Sequence, residues 1–150
     1  MTGILTLIIV SGFLATIYGY VVGKQILSAS PGNAKMQEIA SAIQEGARAY
    51  LNRQYKSIGI VGVIIFIIIT IALGPWVGIG FFIGALLSGA AGYIGMLVSV
   101  RANVRTAEAA RKGLAEGLNI GFKSGAVTGM LVAGLALLSI SIYYLILLKF

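Results

Sequence analysis

Cysteine, histidine and aspartate are all missing from this chain of 150 residues. Without Cys there is no disulfide framework, no thiolate metal site and no catalytic thiol. Without His, a serine hydroxyl lacks the usual base that would make it a nucleophile. The only side-chain carboxylates are Glu38, Glu45, Glu108 and Glu116. They are scattered, whereas a magnesium site for hydrolysis needs several converging oxygens. Gly23-Lys24-Gln25 lacks the glycine spacing and the following Ser or Thr of a phosphate loop. The residues therefore name no catalytic, cofactor-binding or metal-ligating group.

Charge is scarce as well. Only 10% of the residues are charged against 59% hydrophobic, and mean hydropathy is +1.00. A soluble domain carries roughly a quarter charged residues, so water is excluded as the main solvent of this surface. The apolar residues fall into long runs, which predicts an all-α membrane protein of four transmembrane helices. Residues 1–150 read as a single transmembrane domain, with helices over about 3–23, 35–73, 76–112 and 118–148.

The first run is uncharged and too long for a signal-peptide core, so it reads as a retained span. Ser28, Ser30, Pro31, Gly32 and Asn33 are loop residues. From Lys35 to Lys56, Met36, Ile39, Ala40, Ile43, Ala47, Tyr50 and Leu51 recur at helical spacing, with polar residues on the other faces. This is an amphipathic lead running without a breaker into the Ile- and Val-rich second span. Gly74-Pro75-Trp76 marks the next boundary, and Gly113 and Gly117 are expected to bracket the last turn.

The net charge of +7 is explained by topology rather than by nucleic acid, which is not an expected partner. Lys24, Lys35, Arg48, Arg53 and Lys56 lie between spans one and two. Arg101, Arg105, Arg111, Lys112 and Lys123 lie between spans three and four, and only Lys149 falls on the other side. The positive-inside rule makes the basic side cytoplasmic and puts both termini outside. Glu108 among Arg105, Arg111 and Lys112, and Glu45 beside Arg48, read as exposed ion pairs.

Helices in lipid associate through close backbone approach, so small residues spaced by four are informative. Gly80, Gly84, Ser88 and Gly92 form one such ridge, with Ala85 and Gly89 beside it. Gly117, Gly121, Gly125, Gly129 and Ala133 form another, and the first span has Ala15, Gly19 and Gly23. These ridges predict a tightly packed, Gly-rich bundle in which Gly84→Leu or Gly125→Leu disrupts folding. The alternative is that the glycines line a pore or approach a ligand.

The run Ala102-Asn103-Val104-Arg105-Thr106-Ala107-Glu108-Ala109-Ala110-Arg111 follows Gly92-Tyr93-Ile94-Gly95-Met96 and precedes Gly125-Ala126-Val127-Thr128-Gly129-Met130. With Met36, Glu38-Ile39, Ile43, Gly46-Ala47 and Tyr50-Leu51, it resembles the membrane-bound, ion-translocating inorganic pyrophosphatases over essentially the whole chain. Arg101, Asn103, Arg105, Glu108 and Arg111 carry the most specific part of the resemblance. Lys123-Ser124 is a minor departure from it.

That family couples magnesium pyrophosphate hydrolysis to pumping of H⁺ or Na⁺, some members with K⁺. The resemblance implies homodimers of about sixteen helices per subunit, with these four in the outer ring at the N-terminal start. The aspartate-rich motifs and ion gate of the family have no counterpart here. What is implied is a piece or split-off paralogue of a pump: a structural segment without catalysis of its own, partnered by the lipid bilayer and the remaining pump helices. A prokaryotic plasma membrane is the expected setting. Two other readings are a small non-catalytic membrane scaffold and a rotary-ATPase proteolipid. The proteolipid needs a mid-membrane carboxylate, which the spans lack.

Overall fold

A computed structural model describes residues 2–148. Lys149, the one basic residue expected on the far side, lies outside them. The described residues form four helices: α1 (Thr2–Ser28), α2 (Ala34–Leu73), α3 (Pro75–Ala110) and α4 (Leu114–Leu147). All four are long and apolar enough to cross a membrane. The four-helix expectation therefore holds, and the chain is an integral membrane protein.

Local chemistry sets the helix ends. α1 continues past Gly23 to Ser28, because Ile26 in that extra turn is almost wholly buried. Asn33 caps α2, its side-chain oxygen accepting from the Met36 N–H at 2.9 Å, which satisfies one of the orphan donors of the first turn. α2 and α3 are joined by Gly74 alone. Its φ of +95° is a left-handed conformation that a side chain would resist. Pro75 then opens α3, where its missing N–H costs nothing.

At the other turn the expectation needs correction. Arg111 and Lys112 lie beyond α3, and α4 begins at Leu114, so Gly117 is not a turn residue. It is buried within α4 with its Cα facing Ala110. A Cβ at Gly117 would lie 2.9 Å from the Ala110 Cβ. The residue is small because two helices diverge from a tight turn at that point.

The helices run alternately up and down. α3 packs on α4, α4 on α1, and α2 along α3; α1 also touches α3, while α2 touches neither α1 nor α4. The arrangement is an open row with α1 folded back, rather than a closed four-helix ring. Its core is shared by α1, α3 and α4: Val22, Ile26, Ala102, Val127 and Leu131, flanked by Val98 and Ile120. α2 adds only Ala40 and Leu51 as buried residues. Its apolar stretch, including Ile60, Ile64, Ile68 and Ile71, faces outward. In water such a face would aggregate; in lipid it is already in its preferred solvent.

The α1–α4 seam has a heptad-like rhythm. Gly12, Ala15, Gly19, Val22 and Ile26 are buried positions of α1 in steps of three and four, and Ser124, Val127, Leu131, Gly134, Leu138 and Ser141 are their counterparts on α4. Alternating steps of three and four keep a stripe facing one partner as two helices cross at a shallow angle.

Candidate functional site

The polar chemistry is concentrated where α1 ends, α2 begins and α3 ends. At the end of α1 the Ser28 hydroxyl donates to the Gln25 carbonyl and the Ala29 N–H to the Ile26 carbonyl. This leaves the carbonyls beyond them orphaned, and no Lys or Arg occupies the last turn. Arg105, reaching across from α3, supplies the missing donors. Its Nη2 donates to the Leu27 carbonyl at 2.9 Å and its Nε to the Ala29 carbonyl at 3.2 Å. Nη1 donates to the Arg101 carbonyl of its own helix at 2.7 Å. The cation thus meets the negative end of the α1 dipole. Burial, and then the neighbouring Arg101 charge, lower the Arg105 pKa from the usual arginine value. The guanidinium nevertheless stays charged, as arginine does in proteins.

Glu108 is less exposed than its surroundings suggested. Its side chain keeps 19% of its accessibility and pairs with Arg111 at 3.0 Å. The same carboxylate packs against Gly32 in the α1–α2 connection, where a Cβ would lie 3.1 Å from it. The pairing expected of Glu45 with Arg48 does not occur. Among the described residues the other ion pair is Lys35–Glu38, at 3.0 Å on the exposed first turn of α2. Asn103 is exposed. Arg101 is half-buried and has no carboxylate partner.

A cleft of about 510 Å³ opens beside Arg101 and Arg105, walled on the α2 side by Gln37, Ser41 and Gln44. It gathers cations and amides but no carboxylate. Among the described residues no group of three or more acidic, Cys or His side chains stands close enough to hold a metal. Glu38 and Glu108 are already committed to Lys35 and Arg111. The residues present do not fit magnesium.

The small-residue ridges divide in the structure. A Cβ at Gly80 would lie 2.8 Å from the Tyr143 ring, and one at Gly92 2.7 Å from the Tyr55 hydroxyl. The Tyr143 hydroxyl also donates to the Trp76 carbonyl, and Tyr55 stacks edge-on against Tyr93 at 5.1 Å. At Gly121 a Cβ would make an ordinary contact of 3.8 Å with Thr106. Gly84, Gly125 and Gly129 face nothing within 4 Å of a built Cβ, and Ser88 is exposed.

The expected disruption by leucine at two of these positions is therefore reversed for this chain. Gly84→Leu and Gly125→Leu should leave thermal unfolding in detergent within about 0.5 kcal/mol of the parent, or raise it, since Leu gains up to about 1 kcal/mol of helix propensity over Gly. Loss of the fold in either variant would contradict the geometry. Besides Gly80 and Gly92, the glycines whose Cβ would crowd a neighbouring helix are Gly12, Gly19, Gly78, Gly95, Gly117 and Gly134. Of these, Gly12, Gly78, Gly95 and Gly134 stand off the four-residue ridges. The three-four spacing of small and apolar residues along α1 and α4 is the signal that marks Gly12 and Gly134.

Comparison with known proteins gives one consistent result. A family model described as inorganic H⁺ pyrophosphatase matches residues 13–149. A K⁺-insensitive pyrophosphate-energized proton pump of Methanosarcina mazei is 49% identical over 138 residues, covering 91% of this chain and 21% of the relative. A putative K⁺-stimulated pyrophosphate-energized sodium pump of Bacteroides thetaiotaomicron is 43% identical over 147 residues, covering 94% and 20%. A K⁺-insensitive pyrophosphate-energized proton pump of Caldanaerobacter subterraneus is 39% identical over 157 residues, covering 89% and 22%. The chain spans about a fifth of the length of these relatives.

Proposed function

The chain belongs to the inorganic H⁺ pyrophosphatase family, and from that premise we propose that it is a structural segment of a pyrophosphate-energised ion pump. Its part is to hold the outer side of the helix assembly in the membrane, while pyrophosphate hydrolysis and ion movement belong to helices outside it. The observation that carries this reading is the pair of uncovered small-residue faces. Gly84 with Ser88 on α3, and Gly125 with Gly129 on α4, are shaped for close helix approach yet meet no neighbour in this chain. Further helices of the pump are the partners that would use them.

The missing chemistry supports the same assignment. Magnesium pyrophosphate needs a cluster of carboxylates, and the four Glu of the sequence do not form one. Magnesium, and K⁺ where it acts, are therefore assigned to the rest of the pump, as is the subunit contact of a homodimer. The basic half faces the cytoplasm and both ends of the chain face outward, in keeping with the gathering of Lys and Arg. A prokaryotic plasma membrane suits a chain whose relatives are of archaeal and bacterial origin.

The test is direct. The purified chain in lipid, supplied with magnesium pyrophosphate, should release no phosphate above the buffer rate and should move no H⁺ or Na⁺. Sustained magnesium-dependent phosphate release would overturn the assignment.

A further inference from the structure

The cleft beside Arg101 is unexplained by anything the pump reading requires. Two guanidinium groups stand next to each other there, and no acid lines the cleft. Arg105 spends three of its donors on carbonyl oxygens, out of the five an arginine carries. The Arg101 side chain makes no hydrogen bond and no ion pair with the described residues. A half-buried arginine without an acceptor, beside a second cation, is an incomplete arrangement. An anion with several oxygens completes it.

Depth selects the kind of anion. Twenty-six residues of α3, Pro75 to Val100, precede Arg101, which is about 39 Å of helix at 1.5 Å per residue. That exceeds the roughly 30 Å hydrocarbon thickness and fits within the ~40–45 Å that includes the headgroups. Arg101 therefore stands in the headgroup layer on the basic side. Below it, α1 and α2 both touch α3 but not each other. The two spans are therefore not packed against each other along α3. Leu27 and Val104 give the cleft apolar surface beside its cations.

We propose that this cleft binds the phosphate of an anionic phospholipid headgroup, with Arg101 as its main partner. The remaining Arg105 donors, the Ser41 hydroxyl and the Gln44 amide take further headgroup oxygens, and the acyl chains run down beside α3, where α1 and α2 do not meet. Basic pockets between membrane helices suit such headgroups. The proposal stands independently of the pump reading, because it uses only this chain and its membrane.

Native mass spectrometry of the purified chain in detergent, titrated with phosphatidylglycerol or phosphatidylcholine, tests it. One phosphatidylglycerol should be retained per chain in preference to phosphatidylcholine. Arg101→Ala should weaken that retention by about five- to tenfold, and Arg101→Lys by less. Lys112→Ala removes the same charge from the exposed turn after α3 and should change nothing. Melting of Arg101→Ala should match the parent, since the side chain makes no bond within the fold. Equal retention of both lipids, or equal loss in Arg101→Ala and Lys112→Ala, would overturn the site. Displacement of the lipid by millimolar inorganic phosphate would also overturn it, by making the cleft a free-anion site.

Discussion

Gly134→Leu is expected to detach α1 from α4 and to leave the chain without a cooperative unfolding transition in detergent. The reason is the identity of the atoms in the way. A Cβ at position 134 would lie 2.8 Å from the Gly12 carbonyl oxygen, 2.8 Å from Thr16 Oγ1 and 3.0 Å from the Ala15 Cβ. The carbonyl is helix backbone, and Thr16 is tied to that same Gly12 carbonyl by a 2.9 Å hydrogen bond. Neither can swing aside as a flexible side chain could. Gly134→Ala should cost about 1–3 kcal/mol, the usual range for an atom forced into a packed site. Leucine adds three more carbons along the same line, and the helices must part. Thermal unfolding followed by circular dichroism checks both variants. A Gly134→Leu variant as stable as Gly84→Leu would show that the seam is misplaced.

Arg105→Ala is expected to be the most damaging change among the charged residues, at about 2–3 kcal/mol. Hydrogen bonds to a charged group contribute roughly 1.5–3 kcal/mol where they are shielded. Arg105 makes one such bond to Leu27 of α1, one to Ala29 just beyond its end, and one within α3. The partial exposure of the site keeps the total well below their sum. The loss falls on α1, whose terminal carbonyls would be left to water or to nothing. Hydrogen exchange at residues 26–29 should therefore accelerate even where the rest of the fold stays protected. Arg105→Lys should recover only part of the loss, because an ammonium cannot reproduce the fork that reaches two carbonyls at once. A loss below about 0.5 kcal/mol would place Arg105 among ordinary surface residues.

The contrast between these two positions shows what the sequence alone could reveal. Four spans, the break at Gly74-Pro75 and the gathering of basic residues on one side follow from solvent and turn chemistry, which are local. The glycine ridges were equally visible, yet spacing says only that a helix can be approached closely, not by what. At Gly80 and Gly92 the neighbour is a tyrosine from within the chain; at Gly84, Gly125 and Gly129 there is none. Gly12 and Gly134 are set by a three-four seam that a search for steps of four passes over. The resemblance singled out Arg105, but no pattern shows what it does. Its partners lie 76 and 78 residues away, and the only hint is negative: a helix that ends at Ser28 with no basic residue or glycine cap of its own.

The proposed role makes these helices a piece of a pump whose remaining helices close against the open faces of α3 and α4. The most direct test is to graft the chain into the Methanosarcina mazei proton pump in place of the segment it matches at 49% identity. Pyrophosphate-driven proton uptake is then measured in vesicles. The chimaera should pump, and should lose pumping when Gly125→Leu is introduced, although the same change leaves the isolated chain folded. A chimaera that is folded and inserted but inert, or one indifferent to leucine at position 125, would contradict the proposed role.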